Sequence, residues 1–189
     1  GEETGEKAIL TECEGNVGRL AKILALDLEA ALAASSPGEG VESSENPLSA
    51  DYRMQRGEDG SYVGAEAHLK WEHRRYGPVD PPLLLQIAKE SGDLYLLETN
   101  IIERAIKDAE EFRRKYGQQF VMDVFVTAST LYDRRFVPYL QNMADVYRLR
   151  TGYIRIKIAD PYNLEDPEKT DLLFARIRTY GFVMAEEEK

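Results

Sequence analysis

The feature that most limits what this chain can fold into is the order of its apolar patterns. From Asp51 onward, short β-branched runs take turns with longer amphipathic stretches. Asp51 to Arg56 and Tyr62 to Trp71 read as two strands, turned by Gly57-Glu58-Asp59-Gly60 into a hairpin. Pro81 and Pro82 open a short helix that runs through Lys89 and ends at Ser91-Gly92. A long amphipathic helix follows from Tyr95 to Tyr116, with Leu97, Ile101, Ala105, Ile106, Ala109 and Phe112 on one side and Gly117 as its cap. Phe120 to Ala128 is apolar enough for a buried strand, and Arg135 to Arg150 is helical. Tyr153 to Ile158 alternates as a strand, Pro167 to Tyr180 is a helix closed by Gly181, and Phe182 to Glu186 is a last strand. Helices that separate strands act as crossovers, so the pattern predicts a parallel α/β sheet with right-handed connections behind the opening hairpin.

The leading residues differ. Residues 1–50 hold three basic side chains (Lys7, Arg19 and Lys22) against ten acidic ones. Val17, Leu20, Leu24, Leu28 and Ala31 recur at helical spacing, which predicts one amphipathic helix from Asn16 to about Ser35. Ser36-Pro37-Gly38-Glu39-Gly40 stops it, and the polar run to Ser49 reads as a linker. Two regions are therefore expected: an acidic segment at 1–50 and a domain at 51–189.

Charge narrows the function classes. A formal net charge of −10 and a pI near 4.8 argue against a sequence-independent grip on nucleic acid or on an anionic membrane. Cys13 is the only cysteine, which excludes an intrachain disulfide and a cysteine zinc cluster. No run of about 18 apolar residues exists, so no membrane-spanning segment is expected in this chain. The start at Gly1, without Met or a leader-like stretch, fits a fragment from a cytoplasmic region.

Several local strings resemble, in order, the bacterial EAL domain of cyclic-di-GMP signalling. Tyr62-Val63-Gly64-Ala65-Glu66-Ala67-His68-Leu69-Lys70-Trp71 is similar to the strand that names the family, with Glu-Ala intact and His68 in place of the motif leucine. Trp71 is followed by His73, Gly77, Val79 and Pro81, close to the family's "RWxHP…G…P". Leu83 to Gly92 resembles "FIPLAEETG". Thr127-Ala128-Ser129-Thr130-Leu131 with Asp133, Phe136 and Val137 resembles "SARQLxDxxFV". Tyr153 to Asp160 fits the slot of "LELEITE", and Leu164 to Pro167 with Gly181 to Glu188 follows the run toward "ALDDFG".

The resemblance implies a partial TIM-like (β/α) barrel of EAL type with an antiparallel first strand, preceded by the N-terminal helix. A full barrel of this kind takes about 200–250 residues, and the pattern supplies strands for about five positions. Active members cleave cyclic-di-GMP with two divalent cations. Such chemistry needs several carboxylates and an amide oxygen that face one another. Transferred residue by residue, the motif glutamate is Glu66, but the ligand asparagine is replaced by Phe125 and a metal glutamate by Lys157. Asp160 takes the later glutamate of that motif, while Glu187 and Glu188 take the paired aspartates. The family's downstream catalytic lysine and glutamate have no counterpart. Glu66, Asp160 and Glu187 are thus expected to be relic metal positions, with no catalytic residue and no Mg2+ or Mn2+ held. Lys70 replaces a phosphate-holding arginine and Arg53 a nucleotide-contacting glutamine, and these two are the candidates for weak nucleotide binding.

The reading that follows is a degenerate, non-catalytic EAL-like module in the bacterial cytoplasm, working through a protein partner or self-association within a larger regulator. A sensor that binds cyclic-di-GMP without cutting it is the alternative. A metal-dependent phosphodiesterase resting on Glu66, Asp160 and Glu187 comes third.

Overall fold

The computed structural model describes residues 17–34, 47–149 and 152–186. The elements run in the order helix α1 (Val17–Ala34), strands β1 (Leu48–Arg56), β2 (Tyr62–His73) and β3 (Gly77–Val79), then helices α2 (Pro81–Ser91) and α3 (Leu94–Tyr116). Strand β4 (Val121–Val126), helices α4 (Ala128–Tyr132) and α5 (Phe136–Val146), strand β5 (Ile154–Ile158), helix α6 (Pro167–Thr179) and strand β6 (Val183–Glu186) complete it. A 3-10 turn, Pro161–Asn163, follows β5. The strand order is β1-β2-β4-β5-β6, with β3 added to β2. β2–β4, β4–β5 and β5–β6 all pair in parallel, each step carrying an intervening helix as the pattern predicted, and the architecture is the mixed α/β partial barrel with a leading helix that the resemblance implied.

The chain forms two compact units, and β1, β2 and α3 pass from one to the other. In the first (residues 17–34, 47–51 and 69–100 of those described), α1 packs on α2, and Leu24, Leu28, Trp71, Leu84, Ile87 and Leu97 are buried in one apolar cluster. α2 starts at Pro81-Pro82, where a missing N–H is harmless, and Gly92 ends it in the left-handed conformation (φ 79°). β2 and β3 are antiparallel, with Trp71 opposite Val79.

The second unit (residues 52–68, with 101–149 and 152–186 of those described) holds the parallel strands. Along β4 and β5, side chains alternate between faces. One face carries Met122, Val124, Val126, Ile154, Ile156 and Ile158, each 1% exposed or less. α5 packs on α6, and α6 on β6. Tyr52 is half-buried, with its hydroxyl donated to Asp108 and its ring edge-on to Phe112. Desolvation, helped by that hydrogen bond, pushes its ionisation far above the ordinary phenol range.

Three local expectations needed correction. The stretch read as linker up to Ser49 already enters β1 at Leu48, whose side chain is buried in the first unit's core. Ala128 begins α4 instead of ending a strand, because Asp160 accepts its backbone N–H and turns the chain there. β3 was not foreseen, since Gly-Pro-Val is too short to show a period. Cys13, the residues of the expected linker up to Asn46, and Glu187 and Glu188 lie outside the described residues.

Candidate functional site

The opposite face of the parallel strands is charged. Register alone puts Glu66 on β2 beside Asp123 on β4, and Asp123 beside Arg155 on β5. Two residues further along, Phe125 pairs with Lys157 and Lys157 with Ala185. Gly64 lets β2 come this close: a Cβ there would meet Val121 O at 2.6 Å and Gln55 Oε1 at 2.9 Å.

Asp123 is the centre of this face and has no solvent exposure. Arg155 grips it with a two-pronged fork, Nε donating to Oδ1 at 2.7 Å and a terminal nitrogen to Oδ2 at 2.9 Å. Lys157 Nζ lies 3.2 Å from Oδ2, and the Gln55 amide donates to the same oxygen at 3.4 Å. The bond to Asp123 raises the Arg155 guanidinium further above its ordinary range, against the opposing effect of burial. A buried carboxylate is costly unless paired, and here two cations and an amide satisfy it. Lys157 also lies 5.7 Å from the centre of the Phe125 ring, on which His68 stacks at 5.3 Å.

Glu66 is placed on the same face and is engaged by His68 Nε2 at 3.2 Å, with Arg53 Nε at 3.8 Å. Its side chain is 16% exposed, whereas that of Arg53 is 79% exposed. Asp160 is used locally: Oδ1 accepts the Ala128 N–H at 2.7 Å, and Oδ2 accepts the Asn163 amide at 2.8 Å. Lys70 belongs to the first unit, where its ion-pair partner is Glu72 at 3.4 Å. Arg53 and Glu66 thus come together, and Lys70 sits in a different unit with a different partner. Glu187 lies outside the described residues. Among the described residues no group of three or more His, Cys, Asp or Glu side chains is arranged to hold a metal ion.

Sequence reading missed Asp123, Arg155 and Gln55. The signal was present as a lone acid inside Val121–Val126 and two bases spaced by two inside Ile154–Ile158, in strands otherwise apolar. It missed a second buried polar group as well. His73 in the first unit is 7% exposed, flanked by Trp71 and Tyr76. Its Nδ1 accepts the backbone N–H of Arg75 at 3.1 Å and of Tyr76 at 3.3 Å, so the ring proton is on Nε2 and faces Asp27 Oδ2 at 2.6 Å. No helix among the described residues is long and apolar enough to cross a membrane.

The family profile described as EAL domain matches residues 44–185. A Mycobacterium tuberculosis protein, Rv1357c, and a Mycobacterium bovis protein, Mb1392c, are each 25% identical over 128 residues, which is 67% of this chain and 42% of theirs. Among solved structures, the EAL enzyme Bd1971 with cAMP and cyclic-di-GMP bound superposes with a TM-score of 0.72 at 18% identity, over 93% of this chain and 46% of that one. The EAL domain of Pseudomonas aeruginosa FimX bound to cyclic-di-GMP gives 0.64 at 20% identity, over 85% and 60%. The PaMucR phosphodiesterase in complex with cyclic-di-GMP gives 0.71 at 17% identity, over 85% and 61%. The chain spans less than half the length of these mycobacterial relatives.

Proposed function

Because this chain belongs to the EAL domain family, whose profile spans most of it, we propose that it is a degenerate, non-catalytic member acting through protein contacts in a cytoplasmic cyclic-di-GMP-type regulator. The observation that carries this reading is Lys157. Its ammonium occupies a strand position where the resemblance puts a metal ligand, and it is tied at 3.2 Å to the one fully buried carboxylate of the face. A cation already in place repels a divalent metal and uses the acceptor that could have bound it. Phe125 beside it offers no donor atom, Glu66 is engaged by Arg53 and His68, and Asp160 holds the start of α4. These residues do not suit a pair of Mg2+ or Mn2+ ions. The division into a leading segment at 1–50 and an EAL-like domain at 51–189 belongs to the same proposal, with Glu66, Asp160 and Glu187 as relic positions.

A second reading, a sensor that binds cyclic-di-GMP without hydrolysis, has one observation in its favour: the Arg53 guanidinium is largely exposed beside Glu66 and accessible to a phosphate. Lys70 is the other residue the resemblance assigns to that role. Titration calorimetry of cyclic-di-GMP into the chain, with and without Mg2+, separates the readings. Silence in both conditions, with no linear dinucleotide formed in Mg2+ or Mn2+, supports the interaction module. Saturable binding lost in Arg53→Ala or Lys70→Ala supports the sensor. Linear dinucleotide formed by the chain and lost in Glu66→Ala would overturn both.

A further inference from the structure

Helix α1 is apolar on two opposite sides, and one core uses only one of them. Leu24, Leu28, Ala31 and Leu32 are buried in the first unit's cluster. At about 100° per residue, Ile23, Leu26, Ala30 and Ala33 fall on the other side, and all four are exposed, Leu26 at 68% and Ile23 at 42%. Leu26 shares with Leu172 the largest exposure of any aliphatic side chain among the described residues. A helix that is apolar on both sides belongs inside a larger assembly.

The spacing of this stripe fits a second copy of the same helix. Ile23, Leu26, Ala30 and Ala33 follow each other by three, four and three residues, the alternation of a coiled-coil seam. The β-branched Ile23 stands at the first seam position and Leu26 at the fourth, the combination that favours two parallel strands. The alanines that follow let two backbones approach closely. Charges flank the seam asymmetrically, with Lys22 and Glu29 on one side and Asp27 on the other. Two parallel copies in register set Lys22 of one beside Asp27 of the other, whose carboxylate holds His73 of its own chain through Oδ2. An antiparallel pairing with Ile23 opposite Ala33 would instead set Glu29 beside Glu29 and Asp27 beside Asp27, which costs energy. We propose that the outer stripe of α1 is a self-association surface, on which α1 of a second copy packs in parallel. The inference deepens the interaction-module reading by naming the surface and its occupant, and it rests on that reading only for its biological purpose.

A seam of four side chains is smaller than the roughly 1,000 Å2 of stable interfaces, so the expected dimer is weak and concentration-dependent. Sedimentation velocity of the whole chain over rising concentration tests it. A monomer–dimer equilibrium, lost in Leu26→Glu with the far-ultraviolet spectrum unchanged, supports the seam. In a Cys13→Ser background, mild oxidation of Leu26→Cys should give a covalent dimer, and Glu58→Cys on the β1–β2 turn should not. A single monomer boundary at the highest soluble concentration overturns the proposal, whether the stripe is then covered by another protein or by none. A dimer indifferent to Leu26→Glu, or an oxidation yield equal for the two cysteines, overturns it as well. None of these outcomes depends on the hydrolysis and calorimetry assays, so the seam and the non-catalytic reading stand or fall separately.

Discussion

Two buried polar groups, one in each compact unit, are satisfied in opposite ways. The first unit encloses a single imidazole in an aliphatic and aromatic cluster and ties it to one carboxylate, His73 to Asp27. The second unit buries a carboxylate and gathers two cations around it, Asp123 with Arg155 and Lys157. The first arrangement is one hydrogen-bonded pair with its carboxylate at the half-exposed rim, so the apolar cluster around it provides most of the stability. The second holds charge where water is absent, and each member depends on the others being there. A charge cluster of that kind adds little net stability over apolar residues but is costly to break. It also fixes the strands in one register, because a slip would leave Asp123 without its fork.

The largest effect should come from removing Asp123. Asp123→Ala leaves two cations facing each other on a half-buried surface, and about 3–5 kcal/mol of stability should be lost in urea denaturation. A loss under about 1 kcal/mol would mean the cluster is solvated and the contrast between the units is false. Leu28→Ala in the first unit, at 0% exposure, should cost about 2–5 kcal/mol by the same assay, through a cavity in place of a broken charge network. The two losses should differ in salt dependence: that of Asp123→Ala should shift with ionic strength and that of Leu28→Ala should not. Asp27→Ala should cost less, about 1–3 kcal/mol, because it strands one Nε2–H and leaves the cluster around His73 intact.

The smallest effect tests a surface group of the second unit. Tyr147, partly desolvated and hydrogen-bonded to Glu103 at 2.8 Å, has its ionisation pushed up from 10.0 to about 12. The folded state therefore keeps a phenol proton that the unfolded chain releases earlier. Its small contribution is fully present below pH 10 and is lost as pH rises toward 12. Phenolate absorbance should show several delayed tyrosines, since Tyr52 and Tyr153 are raised as well, and one of them should titrate earlier in Glu103→Gln. No change on that substitution would remove Glu103 as a cause.

Much of the fold was legible in the chain. The α1 helix, the opening hairpin, α2 with its Pro-Pro start and Gly92 stop, and the long α3 closed by Gly117 all follow from local signals. Each rests on periodicity or on one residue's backbone preference, which neighbours in sequence suffice to express. α4 was not legible, because its start is held by Asp160, 32 residues away.

The candidate site divides along the same line. Apart from β3 and α4, the element order was readable in the amino-acid chain, as were the family and the residues standing at its motif positions, Glu66, Phe125, Lys157 and Asp160 among them. Which groups those residues touch followed from the tertiary fold. Strand register brought Lys157 and Arg155 onto Asp123, 32 residues from Arg155. It joined Arg53 to Glu66 and left Lys70 with Glu72 in the other unit. The reason is that periodicity is written between neighbours, whereas the partner of a charge is chosen by which strand lies alongside. Burial then decides whether that partner is optional or obligatory.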